Sequence, residues 1–287
     1  MHFVSAKSIL SSTHGMNIYR GCSHGCIYCD SRSSCYNMNH NFEDIEVKRN
    51  APQLLENALK SKRKKCMIST GSMSDPYLHV EETLQLTRQC LEVIERYGFG
   101  VCLLTKSTRI LRDLDLLVKI HKNARCVVQM TLTTYDNSLS KILEPHVSTT
   151  QERIEALKIL KQHGIPTVVW LCPVLPWIND THENIHSILE SCKEAHVDAI
   201  LCFGMGLTLR EGNREYFYQA LEHHFPLLKE KYQKTYGTAY ELQSKHHQEL
   251  MHYCRQFCDD AGILFGVEEI FAFLNEFPVH SEQLSLF

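Results

Sequence analysis

Short apolar runs alternate with amphipathic segments along most of the chain. The apolar runs lie at 16–20, 66–70, 100–105, 125–132, 167–174 and 199–204, and loop-forming residues bound most of them. Apolar runs of about four to eight residues between turn signals indicate buried strands. These runs are continuously apolar rather than alternating, which is typical of parallel strands with both faces covered. The pattern therefore predicts six buried parallel strands.

The segments between these runs have helical periodicity. Helices are predicted over 51–61, 81–97 and 108–121, then from the capping box of Thr149 and Glu152 to Gly164, and once more before the sixth strand. Six β-then-α units in series predict a partial (β/α)6 barrel over residues 1–206, because a complete barrel has eight such units. Residues 207–287 are predicted to form a mainly helical C-terminal extension, with one short strand near "GILFGV".

Composition and charge narrow the class of protein. The apolar fraction of 44% is sufficient for a substantial core, and the formal net charge of −3 argues against a nonspecific nucleic-acid binder. No apolar run is long enough to span a bilayer, and the first ten residues lack the apolar core of a signal peptide. We therefore expect a cytoplasmic protein that does not bind membranes.

The stretch "RGCSHGCIYCDSRSSC" concentrates four of the thirteen cysteines, and three of them, Cys22, Cys26 and Cys29, have the spacing C-x3-C-x2-C. Most of the other cysteines lie in apolar runs, where a free thiol behaves as a small hydrophobic group. In a reducing compartment, a tight thiol cluster indicates metal binding or redox chemistry rather than disulfides.

Two kinds of metal site fit these thiols. A structural zinc site needs four protein ligands, usually in two separated pairs, and only His24 or Cys35 could complete one here. An iron–sulfur cluster is normally held by four cysteines, so three on one loop would leave one iron open to a substrate or cofactor. A zinc-stabilised binding module without enzymatic activity is the alternative to an enzyme.

The cysteine motif, with an aromatic residue (Tyr28) before its last cysteine, resembles the radical S-adenosylmethionine superfamily. The stretches "NIYRGCSHGCIYCD", "SDPY", "LTRQCLEVIERYGFG", "LLTKS" and "ILRDLDLL" resemble the spore photoproduct lyase-like branch, and the whole chain is similar to its radical SAM mobile pair proteins. This resemblance implies a [4Fe–4S] cluster on Cys22, Cys26 and Cys29. It also implies reductive cleavage of S-adenosylmethionine to a 5′-deoxyadenosyl radical, which abstracts hydrogen from a substrate.

The resemblance also implies roles for residues outside the motif. It places Ser74 and Lys106 at positions that hold S-adenosylmethionine, and a lysine suits a carboxylate as a point charge. Three further residues are expected near the cofactor: Gln129, Thr131 and Glu144. Where photoproduct lyases have a hydrogen-donor cysteine, this sequence has Ser72, which weakens the case for thymine-dimer repair. Cys35 is the remaining catalytic candidate, and Cys254 and Cys258 are expected on a buried helical face.

The expected partners also follow from the resemblance. An electron donor of the flavodoxin or ferredoxin type is implied, and a second radical SAM protein is implied by the similarity to mobile pair proteins. The substrate is either a peptide or protein, or a nucleic-acid base. The acidic balance of the chain and the missing donor cysteine favour the peptide.

Overall fold

A computed structural model describes residues 1–278 of the chain. The strands of this part are β1 (His2–Val4), β2 (Gly15–Met16), β3 (Tyr19–Arg20), β4 (Glu46–Lys48), β5 (Met67–Thr70), β6 (Gly100–Thr105), β7 (Cys126–Thr131), β8 (Thr167–Trp170), β9 (Ala199–Leu201), β10 (Gly206–Thr208) and β11 (Glu241–Gln243). Six of them form one sheet in the order β2-β5-β6-β7-β8-β9, and every neighbouring pair in it is parallel. The predicted partial barrel of parallel strands is confirmed.

Helices surround this sheet and form the C-terminal region. They are α1 (Ala51–Ser61), α2 (Glu81–Leu84), α3 (Leu86–Arg96), α4 (Leu114–Asn123), α5 (Asn137–Leu143), α6 (Thr150–Gln162), α7 (His182–Glu194), α8 (Asn213–His224), α9 (Leu228–Tyr236), α10 (His247–Ala261) and α11 (Val267–Asn275). Within residues 1–278, no helix combines the length and the apolar character that crossing a bilayer requires.

Both faces of the sheet are buried, as the continuous apolar runs predicted. Side chains such as Val101 and Val128 belong to the large core beneath the outer helices. The intervening side chains, such as Cys102 and Val127, form a separate inner core with Ile270 and Leu274 of α11. Helix α11 therefore fills the interior of the barrel from the side of the C-terminal region.

The predicted strand at 16–20 is wrong as a single element. Strand β2 ends at Met16 and pairs with β5, whereas β3 joins a second sheet in the order β1-β4-β3. The chain changes sheets at Asn17 and Ile18, whose carbonyl oxygens accept hydrogen bonds from the side chain and the backbone N–H of Lys48. The pairing partner is remote in sequence, so local periodicity does not reveal the break.

Two predicted helices also differ in detail. The helix predicted over 81–97 is interrupted at Gln85, which has a φ of 49°, and the carboxylate of Glu81 accepts a hydrogen bond from Thr87 N at 2.9 Å. The helix predicted over 108–121 begins as a 3-10 helix at Thr108–Asp113 before α4. The capping box of Thr149 and Glu152 is confirmed at the start of α6.

The C-terminal region contains more strand than predicted. Strands β10 and β11 form an antiparallel pair, and the "GILFGV" stretch makes a single parallel bridge between Leu264 and Ala199. Helix α10 packs on α7, and α8 packs beside the loop that follows the cysteine motif. The part of the predicted helical extension at 279–287 lies outside the described residues.

Candidate cofactor site

The cysteine motif lies in a loop at one end of the barrel, directly after β3. All three cysteines are free thiols, and all three line one cavity of about 330 Å³. The loop is fixed by backbone hydrogen bonds from Cys22 N to Phe42 O at 2.9 Å and from Ile27 N to Leu143 O at 3.0 Å. The structure therefore brings the three predicted metal ligands together at one cavity.

The spacing of the thiols distinguishes between the two kinds of metal site. Among residues 1–278, only His2, His40 and Asp44 bring three or more histidine nitrogen, cysteine sulfur or carboxylate oxygen atoms within 4.8 Å of one another. The sulfur atoms of the three cysteines therefore do not all lie within this distance. Sulfur ligands of one tetrahedral zinc, each about 2.3 Å from the metal, lie about 3.8 Å apart. The three thiols are therefore more widely spread than a mononuclear zinc site requires, and the spacing favours a larger inorganic cluster.

Burial keeps the thiols of Cys22 and Cys26 protonated in the metal-free chain. Burial, and secondarily the proximity of Cys29, raises the pKa of Cys22 to about 12. Burial likewise raises the pKa of Cys26 well above its ordinary value. Because thiolates are the metal ligands, loading of metal must displace these protons.

The "EPH" loop after α5 packs directly against the cysteine motif. Gly25 has a φ of 72°, and a Cβ on it would lie 3.0 Å from Pro145 Cγ and 3.2 Å from His146 Cδ2. The backbone N–H of His146 donates to His24 O at 3.1 Å. Glycine at position 25 thus allows the "EPH" loop after α5 to approach the motif closely.

A buried chain of charged and polar groups links the motif to α6. The hydroxyl group of Tyr28 donates to the carboxylate of Glu144, which also pairs with the guanidinium of Arg153. Burial alone would raise the pKa of Glu144, but Arg153, Lys106 and the Tyr28 hydroxyl more than offset it and lower this pKa. Glu144 is therefore ionised, and its side chain, which is 1% exposed, is not among the residues that line the cavity.

The loops after β5 and β6 form the next wall of the cavity. Ser74 Oγ donates to Gly21 O at 2.6 Å and thereby ties this wall to the cysteine loop. The carboxylate of Asp75 accepts from Thr105 Oγ1 at 2.7 Å and from Lys106 N at 2.8 Å. Both predicted residues, Ser74 and Lys106, line the cavity. Asp75, to which the sequence analysis assigns no role, sets the relative positions of the two loops.

The charge of Lys106 is maintained at the cavity. Burial lowers the pKa of this ammonium group, but nearby negative charges, among them the carboxylates of Glu144 and Asp75, raise it more, and the net shift is upward. Lys106 Nζ lies 5.9 Å from the centre of the Tyr28 ring. A permanent positive charge therefore faces the cavity next to the cysteine motif.

His24 has an unsatisfied ring nitrogen in this wall. The residue is 2% exposed, its Nδ1 lies 3.5 Å from Asp75 Oδ2, and it lines the cavity. Its Nε2 is buried and has no hydrogen-bond partner. A buried polar atom without a partner is costly, and a group bound in the cavity would satisfy it. The wide set of thiols, the lysine and this nitrogen together fit a metal cluster with an anionic organic ligand.

The opposite wall comes from β7, β8 and the segment after β9. Thr131, Trp170, Cys172 and Phe203 line it. Gln129 does not line the cavity, and its Oε1 accepts from Trp170 Nε1 at 2.8 Å. Cys172, which the sequence pattern assigns to the core, faces the cavity because it continues the inward alternation of Val168 and Trp170 along β8 and beyond.

The remaining predicted cysteines lie elsewhere. Cys35 is exposed, lies outside the cavity lining, and accepts from Arg210 Nη1 at 3.3 Å. Cys254 and Cys258 are fully buried in the main core, as expected for a buried helical face. Ser72, in place of a donor cysteine, does line the cavity.

Known proteins are similar to this chain in sequence. An uncharacterised protein of Methanocaldococcus jannaschii is 32% identical over 179 residues, which cover 62% of this chain and 66% of that protein. The radical SAM Nalpha-GlyT isomerase of Pseudomonas phage M6 is 26% identical over 169 residues, 59% of this chain and 34% of that protein.

Solved structures show the same fold. A spore photoproduct lyase complexed with a dinucleoside spore photoproduct has a TM-score of 0.61 at 13% identity, covering 92% of this chain and 78% of the lyase. The family model "Radical SAM superfamily" matches residues 16–190, which include the cysteine motif and most of the barrel. The chain therefore belongs to the radical SAM superfamily, whose members use a [4Fe–4S] cluster and S-adenosylmethionine.

Proposed function

We propose that this chain is a radical SAM enzyme in which Cys22, Cys26 and Cys29 hold a [4Fe–4S] cluster. The observation that carries the proposal is the convergence of these three free thiols on one cavity with Lys106 and the unsatisfied Nε2 of His24. Three cysteines on one loop leave one iron for the amino acid end of S-adenosylmethionine. When bound, the cluster supplies the electron that cleaves S-adenosylmethionine to methionine and the 5′-deoxyadenosyl radical.

Some residues would contact S-adenosylmethionine directly, and others would position the residues that do. Lys106 presents its charge to the methionine carboxylate, while Ser74 and Thr131 contribute the neighbouring cavity surface. Gln129 and Glu144 act through their partners, since Gln129 orients Trp170 and Glu144 fixes Tyr28. Positioning by such supporting residues, together with exclusion of water, is the protein's contribution to cofactor chemistry.

The wall opposite the cysteine motif is the proposed substrate side. Phe203 is 55% exposed at the cavity mouth, and its ring lies 5.6 Å from that of Trp170 in an edge-on arrangement. An exposed aromatic ring at a cavity mouth offers a face to a planar group of the substrate. A nucleobase and an aromatic side chain of a peptide both present such a group.

A binding experiment separates these two substrate classes. A labelled single-stranded oligonucleotide is incubated with the cluster-loaded protein at physiological salt, where nonspecific phosphate contacts are weak. A shift that Phe203→Ala removes and Phe3→Ala, at an exposed ring of β1, retains indicates a base at this mouth. The absence of any shift indicates a peptide or small-molecule substrate.

The proposed chemistry requires partners that deliver electrons. We expect a flavodoxin-type or ferredoxin-type donor to reduce the cluster, and a second radical SAM protein is the proposed biological companion. The external donor is replaced by dithionite in vitro, so the cleavage reaction is testable with the purified chain alone.

The test of the cluster assignment is the iron and sulfide content of protein purified without oxygen. For the native chain, we expect about four irons per chain and a broad visible absorption band that makes the protein brown. Alanine at Cys22, Cys26 or Cys29 should remove the iron, whereas Cys172→Ala, a change to a thiol of the same cavity, should retain it. Colourless protein that holds zinc after attempted cluster reconstitution supports the zinc-binding module and contradicts the proposal.

A further inference from the structure

A second group of metal-ligating side chains lies outside the cofactor cavity, at one end of the three-stranded sheet. His2 starts β1 and lies directly opposite Glu46, the first residue of β4, in the register of the two strands. His40 and Asp44 come from the loop that leads into β4. Ligand atoms of His2, His40 and Asp44 all lie within 4.8 Å of one another, and no other such set exists among residues 1–278.

The hydrogen bonds of His40 leave one ring nitrogen ready to bind a metal. Its Nδ1 lies 3.0 Å from Asn41 O, and a carbonyl oxygen only accepts, so Nδ1 carries the proton. In the neutral ring, Nε2 is then the unprotonated atom with a free electron pair. This Nε2 is buried and has no hydrogen-bond partner. A histidine that donates one N–H to a carbonyl and offers the other nitrogen is the usual arrangement of a metal ligand.

A carboxylate lies beside each of the two imidazoles. Glu46 Oε2 lies 3.9 Å from His40 Nε2, and Asp44 Oδ2 lies 2.9 Å from His2 Nδ1. The rings of His2 and His40 are nearly perpendicular, with centroids 4.8 Å apart. The amino group of Met1 lies 3.0 Å from Asp44 Oδ1. Two imidazoles and two carboxylates form a donor set that suits zinc.

We propose that His2, His40 and Asp44 bind one zinc ion, with Glu46 as the fourth ligand. The site is separate from the thiols and is only partly exposed, with side-chain exposures of 38%, 13%, 42% and 17% for His2, His40, Asp44 and Glu46. Small shifts of these side chains bring nitrogen and oxygen to the roughly 2.0–2.2 Å that zinc requires.

The position of the site gives the zinc a role in the cysteine loop. Phe42 lies between the two loop ligands, and its carbonyl oxygen accepts the hydrogen bond from Cys22 N at 2.9 Å. A Cβ on Gly21 would lie 2.4 Å from the same oxygen, so the two segments are in close contact. Zinc bound by His40 and Asp44 would hold this segment to β1 and thereby stabilise the backbone around Cys22.

The test measures zinc on the cluster-loaded, tag-free protein, so that the thiols are already occupied by iron. After equilibration with micromolar zinc and gel filtration, the expected result is one zinc per chain with unchanged iron. X-ray absorption at the zinc edge should show a shell of nitrogen and oxygen only, and zinc should raise Tm. His40→Gln should weaken zinc binding by at least about 100-fold, more than the loss of a supporting residue does.

His196→Gln is the matched control and should bind zinc as the native chain does. The proposal is overturned if the native chain retains no zinc, if His40→Gln retains it equally, or if the absorption shell contains sulfur at about 2.3 Å. Iron is quantified in the same samples, and zinc binding requires no activity. A failure of the zinc site is therefore distinguishable from a failure of the proposed function.

Discussion

Tyr28 and Glu144 are 116 residues apart in sequence, and the hydroxyl group of one donates to the carboxylate of the other. Tyr28 lies between two of the cysteines of the motif, and Glu144 follows the helix α5. The pair joins the cysteine loop to the buried guanidinium of Arg153 and so to the body of the barrel. The geometry of the cofactor loop therefore depends on a carboxylate that is not part of the motif.

Replacing Tyr28 and replacing Glu144 should lower the free energy of unfolding by different amounts. Tyr28→Phe leaves Glu144 paired with Arg153 and should lower the free energy of unfolding by about 1 kcal/mol, the net value of one hydrogen bond. Glu144→Gln leaves the charge of Arg153 buried without its counter-ion and should cost about 3 kcal/mol or more. Urea unfolding measures both, with Tyr135→Phe at an exposed ring as control. Equal costs would contradict the importance of the ion pair.

The same carboxylate predicts a pH dependence. The neighbours of Glu144 lower its pKa in the folded chain despite burial, so its contribution to stability is present above the ordinary glutamate pKa of about 4.3 and is lost as the pH falls further. The difference in unfolding free energy between native chain and Glu144→Gln should therefore shrink below about pH 4. A difference that stays constant from pH 7 to pH 3.5 would show that the pKa of Glu144 is the same in the folded and the unfolded chain, and a difference that grows as the pH falls would show that folding raises this pKa.

The sequence predicted the parts of the structure that are set by local periodicity. Strand β6 at 100–105 and helix α1 at 51–61 match their predictions residue for residue, since a run of apolar residues or one amphipathic face determines each. The three cysteines of the motif also lie together at one cavity, as a shared metal cluster requires. The prediction failed where pairing with a strand remote in sequence determines the structure, as at the break after Met16 and at the pairing of β10 with β11.

The site shows the same limit. Contact of Ser74, Lys106 and Thr131 with the cavity follows from their positions at strand ends. No local sequence pattern shows that Arg153 of α6 forms an ion pair with Glu144. Nor does one show that the Asp75 carboxylate accepts hydrogen bonds from residues of two loops. The side chain of Asp136 accepts from Ser138 N and Leu139 N and thereby caps the start of α5.

Lys106 should contribute affinity for S-adenosylmethionine rather than stability. Lys106→Met removes the charge at the cavity, and a hydrogen bond to a charged group is worth about 1.5–3 kcal/mol, so the Kd should rise about 10-fold to 100-fold. Equilibrium dialysis of cluster-loaded protein measures the Kd. Lys64→Met, at an exposed lysine, should leave it unchanged, and an unchanged Kd in Lys106→Met as well would remove this residue from the binding site.

Asp75 should affect both stability and cofactor binding. Its carboxylate accepts hydrogen bonds from Tyr77 N, Thr105 Oγ1 and Lys106 N. Because Asp75→Ala leaves these donors without an acceptor, it should lower the free energy of unfolding by about 2 kcal/mol. Asp75→Asn keeps one accepting oxygen and should lose less. Thermal and urea unfolding, with the Kd for S-adenosylmethionine, compare the variants. Identical behaviour of Asp75→Ala and the native chain would contradict this assignment.

Arg32 should control how firmly the cluster is retained. Its guanidinium lies 3.7 Å from the ring centre of Tyr216 on α8 and 4.4 Å from that of Phe42, so it joins the C-terminal region to the loop beside Cys22. Arg32→Lys keeps the charge but loses the planar stacking, and we expect faster loss of iron to a chelator. Arg255→Lys, at a ring contact on α10, is the control. Equal rates in both variants would exclude this role for α8.

The central claim is tested most directly by the formation of 5′-deoxyadenosine. Cluster-loaded protein is incubated without oxygen with S-adenosylmethionine and dithionite, and the nucleoside is quantified by chromatography for the native chain, Cys26→Ala and Cys172→Ala. The account predicts 5′-deoxyadenosine from the native chain and from Cys172→Ala, and none from Cys26→Ala. Native protein with four irons that forms no 5′-deoxyadenosine, or equal formation by Cys26→Ala, would contradict it.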